Sequence, residues 1–237
     1  VDTTAPEIIL NGEASITHEA GRAYEDANAT WFDGVDGNGT LTGFGTLDGS
    51  RPGVYLWYYV YTDSSGNAAD MAIRRIEVLD TSAPVIYLNG EASITHEAGM
   101  PYEDANATWS DTVDGNGTLT GDGQINVWGP GVYLIRFDYV DSSGNAATTV
   151  TREITVMDTA APVIYLNGEA SITHEGGMPY ADANATWSDA VDGNGSLVGV
   201  GEVNHQIPGV YQLYFDHTDS SGNSAPTVIR GITVLDS

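Results

Sequence analysis

The chain has 237 residues, no cysteine, and 33 acidic against 7 basic residues, a formal net charge of −26. Such a charge repels nucleic acid and anionic membrane surfaces, and the missing cysteine excludes a disulfide framework, a thiolate metal site and a thiol nucleophile. All seven basic residues are arginine, so Lys–Asn isopeptide cross-links, Schiff bases and a Walker loop are excluded too, and no run of about 20 apolar residues is present to span a bilayer.

No helical period stands out. Short stretches rich in Val, Ile, Thr, Tyr and Trp, broken by Asn-Gly and Pro-Gly, predict an all-β fold. In chain order the first strand falls near 7–10, with Ile8 and Leu10 inward, and the second near 15–18. A third near 27–32 puts Ala27, Ala29 and Trp31 on one face, and a fourth falls near 40–46. The fifth, near 53–62, follows a Pro-Gly and turns Tyr55, Trp57, Tyr59 and Tyr61 to the core. Its other face accepts Arg136, Asp138 and Gln212 at equivalent positions further along, so it meets water. The sixth strand, near 70–79, buries Ile76 and Val78.

The whole set then recurs. Pro6, Pro84 and Pro162 are spaced 78 residues apart, as are Trp31, Trp109 and Trp187, without insertion or deletion. A fixed period of this length marks a tandem array, giving three units at 1–80, 81–158 and 159–237. Six or seven strands per unit suit an immunoglobulin-like sandwich. The linkers LDTSAP and MDTAAP are short and end in a proline that stops one strand and starts the next unit stiffly. The fold expected is three tandem immunoglobulin-like β-sandwich domains forming an elongated rod. No signal peptide opens at Val1, as expected of a piece of a longer polypeptide.

The phrases APVIYLNG, PYEDANATWSDxVDGNG, PGVY, DSSGNAA, a late arginine (Arg74, Arg152, Arg230) and a closing ITVxD resemble the bacterial surface immunoglobulin-like domain across all three copies. Hyalin-type and PKD-type repeats share DSSGN and PGxY. The resemblance implies an extracellular spacer or adhesive module with no catalytic residues of its own.

Two acidic, glycine-rich phrases, DxVDGNG and DSSGN, recur in every unit. In such a sandwich the loops carrying them gather at one pole with the aspartate of the preceding linker. The candidate ligands are Asp2, Asp33, Asp36, Asn38 and Asp63 in the first unit. They are Asp80, Asp111, Asp114, Asn116 and Asp141 in the second, and Asp158, Asp189, Asp192, Asn194 and Asp219 in the third. Converging carboxylates repel unless protonated or neutralised, and oxygen-only donors without His or Cys favour a hard cation, calcium above all. The preceding unit is expected to contribute through Glu19 or Glu97. The alternative is plain turn chemistry, since Asn-Gly and Asp-Gly accept φ > 0 and Asx side chains cap their own turns.

Other constellations are weaker. His18, His96 and His174 recur inside THE without a nucleophile beside them, which predicts packing. Glu25 and Asp26 are adjacent on an extended chain and point to opposite faces, so they cannot flank a sugar bond. Tyr87, Tyr165 and Trp128 are candidates for stacking on saccharide. The expectation is a non-enzymatic, monomeric, calcium-stiffened stalk or adhesin extender of a secreted or surface-anchored bacterial protein, next to neighbouring domains of a longer polypeptide. A surface glycan or protein ligand is its possible target, and an accessory carbohydrate-binding module of a larger secreted enzyme is the alternative.

Overall fold

The computed structural model describes residues 1–236. Among them there is no helix, and eighteen strands fall into six three-stranded sheets. In the first repeat, β1 (Glu7–Leu10), β3 (Ala29–Asp33) and β4 (Gly37–Leu41) form one sheet in the order β1-β3-β4. The other, in the order β2-β6-β5, is built from β2 (Ser15–Glu19), β5 (Gly53–Tyr59) and β6 (Ala72–Leu79). Strand β2 runs parallel to β6, and the remaining pairs of this repeat are antiparallel.

The same six strands return as β7 (Val85–Leu88), β8 (Ser93–Glu97), β9 (Ala107–Asp111), β10 (Gly115–Leu119), β11 (Gly131–Phe137) and β12 (Val150–Met157). They return once more as β13 (Val163–Leu166), β14 (Ser171–Glu175), β15 (Ala185–Asp189), β16 (Gly193–Leu197), β17 (Gly209–Phe215) and β18 (Val228–Leu235). The chain is therefore all-β, with three tandem Ig-like domains.

Two compact units divide the chain, and the cut runs through the middle repeat. The first holds Val1–Asn89, Asn106–Gly121 and Phe137–Val150; the second holds Gly90–Ala105, Asp122–Arg136 and the described residues from Thr151 onward. In the first unit, Val113 of the β9–β10 turn packs on the core of the first repeat against Ala20, Ile76 and Val78. Gly21 lies so close to Thr112 that an added Cβ would stand 2.3 Å from its Cγ2 and force that side chain to move. The linker joint thus belongs inside a compact unit. In the second unit, Gly99 packs in the same way against Ala190 and Trp128.

The third repeat shows how the core forms. Ile164 and Ala185 from one sheet and Leu213, Phe215, Ile232 and Val234 from the other make one buried cluster. Beneath it lies a charge that hydropathy does not reveal: the Arg230 guanidinium is fully buried. It donates to Asp182 Oδ2 at 2.7 Å and to the carbonyls of Glu169, Asn167 and Asn184. Arg74 makes the same set in the first repeat, with Asp26, Glu13, Asn11 and Asn28, and adds the Tyr59 hydroxyl. A buried charge survives only when paired and hydrogen-bonded throughout, which these arginines achieve.

Two strand expectations change. Ala27 is exposed, because Asn28 adopts φ of +64° and resets the alternation before β3 begins at Ala29. The fourth strand starts earlier than 40–46, at Gly37, because the Gly-Asn-Gly of DGNG pairs with β3, Asp33 facing Gly37 and Trp31 facing Gly39. The Trp31 indole lies against Gly39, where a Cβ would come 2.6 Å from Nε1, so the phrase encodes a strand built to accept an aromatic ring.

Candidate metal centre

At one pole of each repeat, three aspartates converge. A carboxylate oxygen of each of Asp2, Asp33 and Asp63 lies within 4.8 Å of the others, and Asp80, Asp111 and Asp141 repeat the arrangement, as do Asp158, Asp189 and Asp219. One comes from the segment before the first strand, one ends the third strand, and one opens the DSSGN turn.

Each is held by its backbone surroundings. Asp33 Oδ1 accepts from the amides of Val35 and Asp36 at 2.7 and 2.8 Å, an Asx turn that closes the β3–β4 hairpin. Asp63 Oδ1 accepts from the amides of Ser65 and Asn67, and its Oδ2 from Asn67 Nδ2 at 2.8 Å. Asn145 Nδ2 also donates to the carbonyl of Asp80, and Asn223 Nδ2 to that of Asp158, both at 3.1 Å. The asparagine of DSSGN therefore ties the linker to the turn.

These bonds decide the protonation of the third aspartate. Burial pushes the carboxyl of Asp63, Asp141 and Asp219 up, but the donors of the following asparagine and the turn amides outweigh it and hold each below the usual carboxylate value. The negative charge is felt nearby: burial, then Asp36, Asp63 and Asp33, push the Tyr61 hydroxyl up. Tyr61 stacks on Trp31 at 4.0 Å, and Tyr139 on Trp109 at 4.0 Å; in the third repeat His217 takes this place against Trp187 at 3.9 Å.

What the bonds leave over is the telling part. Asp33 Oδ2, Asp80 Oδ2 and both oxygens of Asp158 are buried without a hydrogen-bond partner, on residues only 3%, 7% and 8% exposed. Buried carboxylate oxygens without donors are costly, and three carboxylates at this spacing compound the cost. The donors are hard oxygens with no His or Cys among them. The residues present therefore fit a hard divalent cation such as calcium.

The structure does not bring every sequence candidate into these groups. Asp36, Asp114 and Asp192 are engaged elsewhere: each carboxylate accepts from the amide and hydroxyl of the first serine of DSSGN, Ser64, Ser142 and Ser220, at 2.6 to 2.8 Å. Asn38, Asn116 and Asn194 lie within the fourth strand of their repeats, exposed and paired with Phe32, Ser110 and Ser188 on the face opposite the aspartates. As side-chain ligands they are displaced by the hairpin register. Glu19 and Glu97 are also occupied. Glu19 accepts from the Thr81 amide and the hydroxyls of Thr81 and Ser82, and Glu97 accepts from Thr159, so each glutamate clamps the following linker. The Thr81 and Ser82 hydroxyls lead in holding the Glu19 carboxyl down at about 2.

The histidines pack, as the sequence implies. His18, His96 and His174 each place Nε2 2.7 to 3.0 Å from the carbonyl oxygen four residues on and set the ring edge-on to a tyrosine. Trp128 lies beside Gly99. Tyr87 is exposed on the outer face of its sheet, above Thr108, Ser110, Asn116 and Thr118. Sequence reasoning missed the Arg–Asp locks, although an aspartate and a late arginine recur at fixed positions in every copy.

The model of the bacterial surface protein, Ig-like domain family matches residues 8–78, 86–156 and 164–234. No curated protein is matched by sequence. Among solved structures, the chain is similar to a lipoprotein from Bacteroides thetaiotaomicron, at 14% identity and TM-score 0.28, covering 61% of this chain and 78% of that one. It is also similar to the protocadherin GammaB4 extracellular domain, at 11% identity and TM-score 0.31, covering all of this chain and 50% of that one. A third is the sialic acid binding region of a Streptococcus sanguinis SK1 adhesin, at 13% identity and TM-score 0.27, covering all of this chain and 79% of that one.

Proposed function

The chain belongs to the bacterial surface protein Ig-like domain family, and on that footing we propose that it is a non-catalytic extracellular spacer whose repeats are set against one another by calcium. The observation that carries this reading is the set of buried, donorless carboxylate oxygens on Asp33, Asp80 and Asp158. Calcium supplies positive charge to those oxygens. Asp80, Asp111 and Asp141 would hold one ion, and the corresponding triplets the others.

The reading differs from an ion shared equally by two domains. Asp80 belongs to the linker, while Asp111 and Asp141 belong to the repeat that follows, so the ion would strap the linker to its own repeat. Glu19 straps the same linker to the preceding repeat through Thr81 and Ser82. A linker held on both sides has little freedom to swing, which is what a spacer requires.

Calorimetric titration of calcium into metal-stripped protein tests the reading. Three sites are expected, with dissociation constants in the weak extracellular range of about 10⁻⁴ to 10⁻³ M. An absence of binding heat, together with identical melting temperature and scattering dimensions in calcium and in chelator, overturns it.

One observation favours a second reading, saccharide binding. Tyr87 is 56% exposed beside the polar side chains of Thr108, Ser110, Asn116 and Thr118, and Tyr165 is equally exposed, opposite Thr186, in the third repeat. Glycan-array binding lost in Tyr87→Ala with Tyr165→Ala would favour it.

A further inference from the structure

The three repeats share nearly every core residue, yet one outer face differs sharply between them. It is the outer side of the β2-β6-β5 sheet and its equivalents. In the first repeat this face carries Phe44, Leu56, Tyr58, Val60, Met71 and Ile73. Five of the six are 38% to 55% exposed, and Tyr58 is half-buried. They form one contiguous patch: Phe44 bridges Tyr58, Tyr58 faces Ile73 across the ladder, and Leu56 and Val60 flank Tyr58 on the same side of β5. The Phe44 and Tyr58 rings sit 5.9 Å apart.

The second repeat keeps the backbone and changes the chemistry. Asp122 and Arg136 exchange both backbone hydrogen bonds at 2.8 Å, as Phe44 and Tyr58 do at 2.9 and 3.0 Å. Asp138 and Thr149 stand where Val60 and Met71 stand, and they are hydrogen-bonded to each other. Leu134 still stands where Leu56 stands, but the scaffold accepts polar residues at the other five positions, so its own requirements do not explain the apolar cluster around Phe44 and Tyr58. Contiguous exposed apolar surface of this kind marks an interaction site.

We infer that this face of the first repeat is a homodimer interface whose partner is the same face of a second copy of the chain. The argument for that occupant is charge. Next to the patch on the same face, Arg75 and Glu77 form an exposed ion pair at 2.8 Å. They sit opposite Leu56 and Val54 in the ladder. A two-fold axis brings a surface against itself, so that residue i meets j and j meets i. A face with an apolar centre and one positive and one negative group side by side is complementary to itself under that operation: Arg75 meets Glu77 of the partner subunit, and the reverse. An unrelated acidic or basic partner would leave one of the two charges facing its like. Sheets pack face to face in this manner at a separation of about 10 Å.

This dimer departs from the monomer expected from the sequence, and its contact is independent of calcium. The chain's charge of −26 opposes association of two copies, and salt screens that repulsion while leaving apolar burial intact. The dimer is therefore expected to tighten as salt rises, the reverse of an interface driven by ion pairs.

Sedimentation equilibrium of the whole chain tests this, up to ~1 mM protein, in ~0.05 M and ~0.5 M salt with chelator present. Wild type is expected to move from the single-chain mass to twice that mass with concentration, at least several-fold more tightly at the higher salt. The double variant Phe44→Asp, Tyr58→Arg installs the pair that the second repeat already folds with, and it should remain single at every concentration. A wild-type chain that stays single under all conditions overturns the inference, as does a dimer that the double variant leaves intact. Saccharide binding lost in the double variant, without self-association of the wild type, would assign the face to a sugar and overturn it equally.

Discussion

Arg230 and Asp182, 48 residues apart in sequence, meet at 2.7 Å with the guanidinium wholly shielded from solvent. The pair joins the last strand to the segment before the third, and the remaining donors of Arg230 close on backbone carbonyls from two turns. Removing one partner leaves the other buried and uncompensated. Arg230→Met is expected to destabilise the third repeat by about 3–5 kcal/mol, a cost typical of breaking a buried pair. Urea unfolding of the whole chain, compared between wild type and variant by circular dichroism, measures it, and a loss below about 1 kcal/mol would show the lock to be idle.

The same pair fixes the response to acid. Burial raises the Asp182 carboxyl, but Tyr180, Arg230 and the Asn184 amide outweigh it and hold the group below 3.8. A carboxylate depressed in the folded state contributes stability that is complete above its unfolded value and is lost as pH falls through the folded one. Asp63, Asp141 and Asp219 act in the same sense. The urea midpoint of metal-stripped protein should be flat above about pH 5 and decline below about pH 4. A midpoint that rises on acidification would contradict this assignment.

Calcium should respond site by site. Asp141→Asn keeps the turn geometry and removes one charge from the middle triplet, so one of three binding events in calorimetry should disappear. Terbium emission excited through the Trp31–Tyr61 and Trp109–Tyr139 stacks gives a second view, since both stacks border the triplets. The same variant should dim it by about a third to a half. Unchanged emission would place the lanthanide elsewhere.

Gly21 and Gly177 occupy equivalent positions and share a left-handed φ, +75° and +78°, but only Gly21 is covered. Alanine at either site incurs the φ penalty of about 1–2 kcal/mol. At Gly21 it also meets Thr112 Cγ2 at 2.3 Å, so Gly21→Ala should cost about 1 kcal/mol more than Gly177→Ala. Equal losses in thermal unfolding would mean that the joint yields freely.

The fold was legible because period and alternation survive three repetitions. Ile76 and Val78 alternate with polar neighbours, and the positions of Tyr59, Phe137 and Phe215 stay aromatic, so parity alone places them. Asp33 and Asp63 were equally legible: linker and turn aspartates must gather at one pole of such a sandwich. Asn38 was not, because Asn-Gly reads as a turn until the pairing of Gly37 with Asp33 converts it to strand and sends its side chain to the other face. Asp36 and Glu19 look like ligands in one dimension, and only the positions of Ser64 and Thr81 in space show that their carboxylates also accept hydrogen bonds away from the triplets. The Arg–Asp locks were hidden because charge ordinarily predicts exposure. Asp26, adjacent to exposed Glu25, gives no local sign of turning inward.

Strands β2, β8 and β14 lie near the start of their repeats and β6, β12 and β18 at the ends, and each pair runs side by side in the same direction. Tension applied to the two ends of a repeat pulls these neighbours in opposite senses along their length. The hydrogen bonds between them are then loaded together in shear, and cannot open one after another like a zipper. A module joined this way is expected to resist pulling until the whole ladder gives way at once.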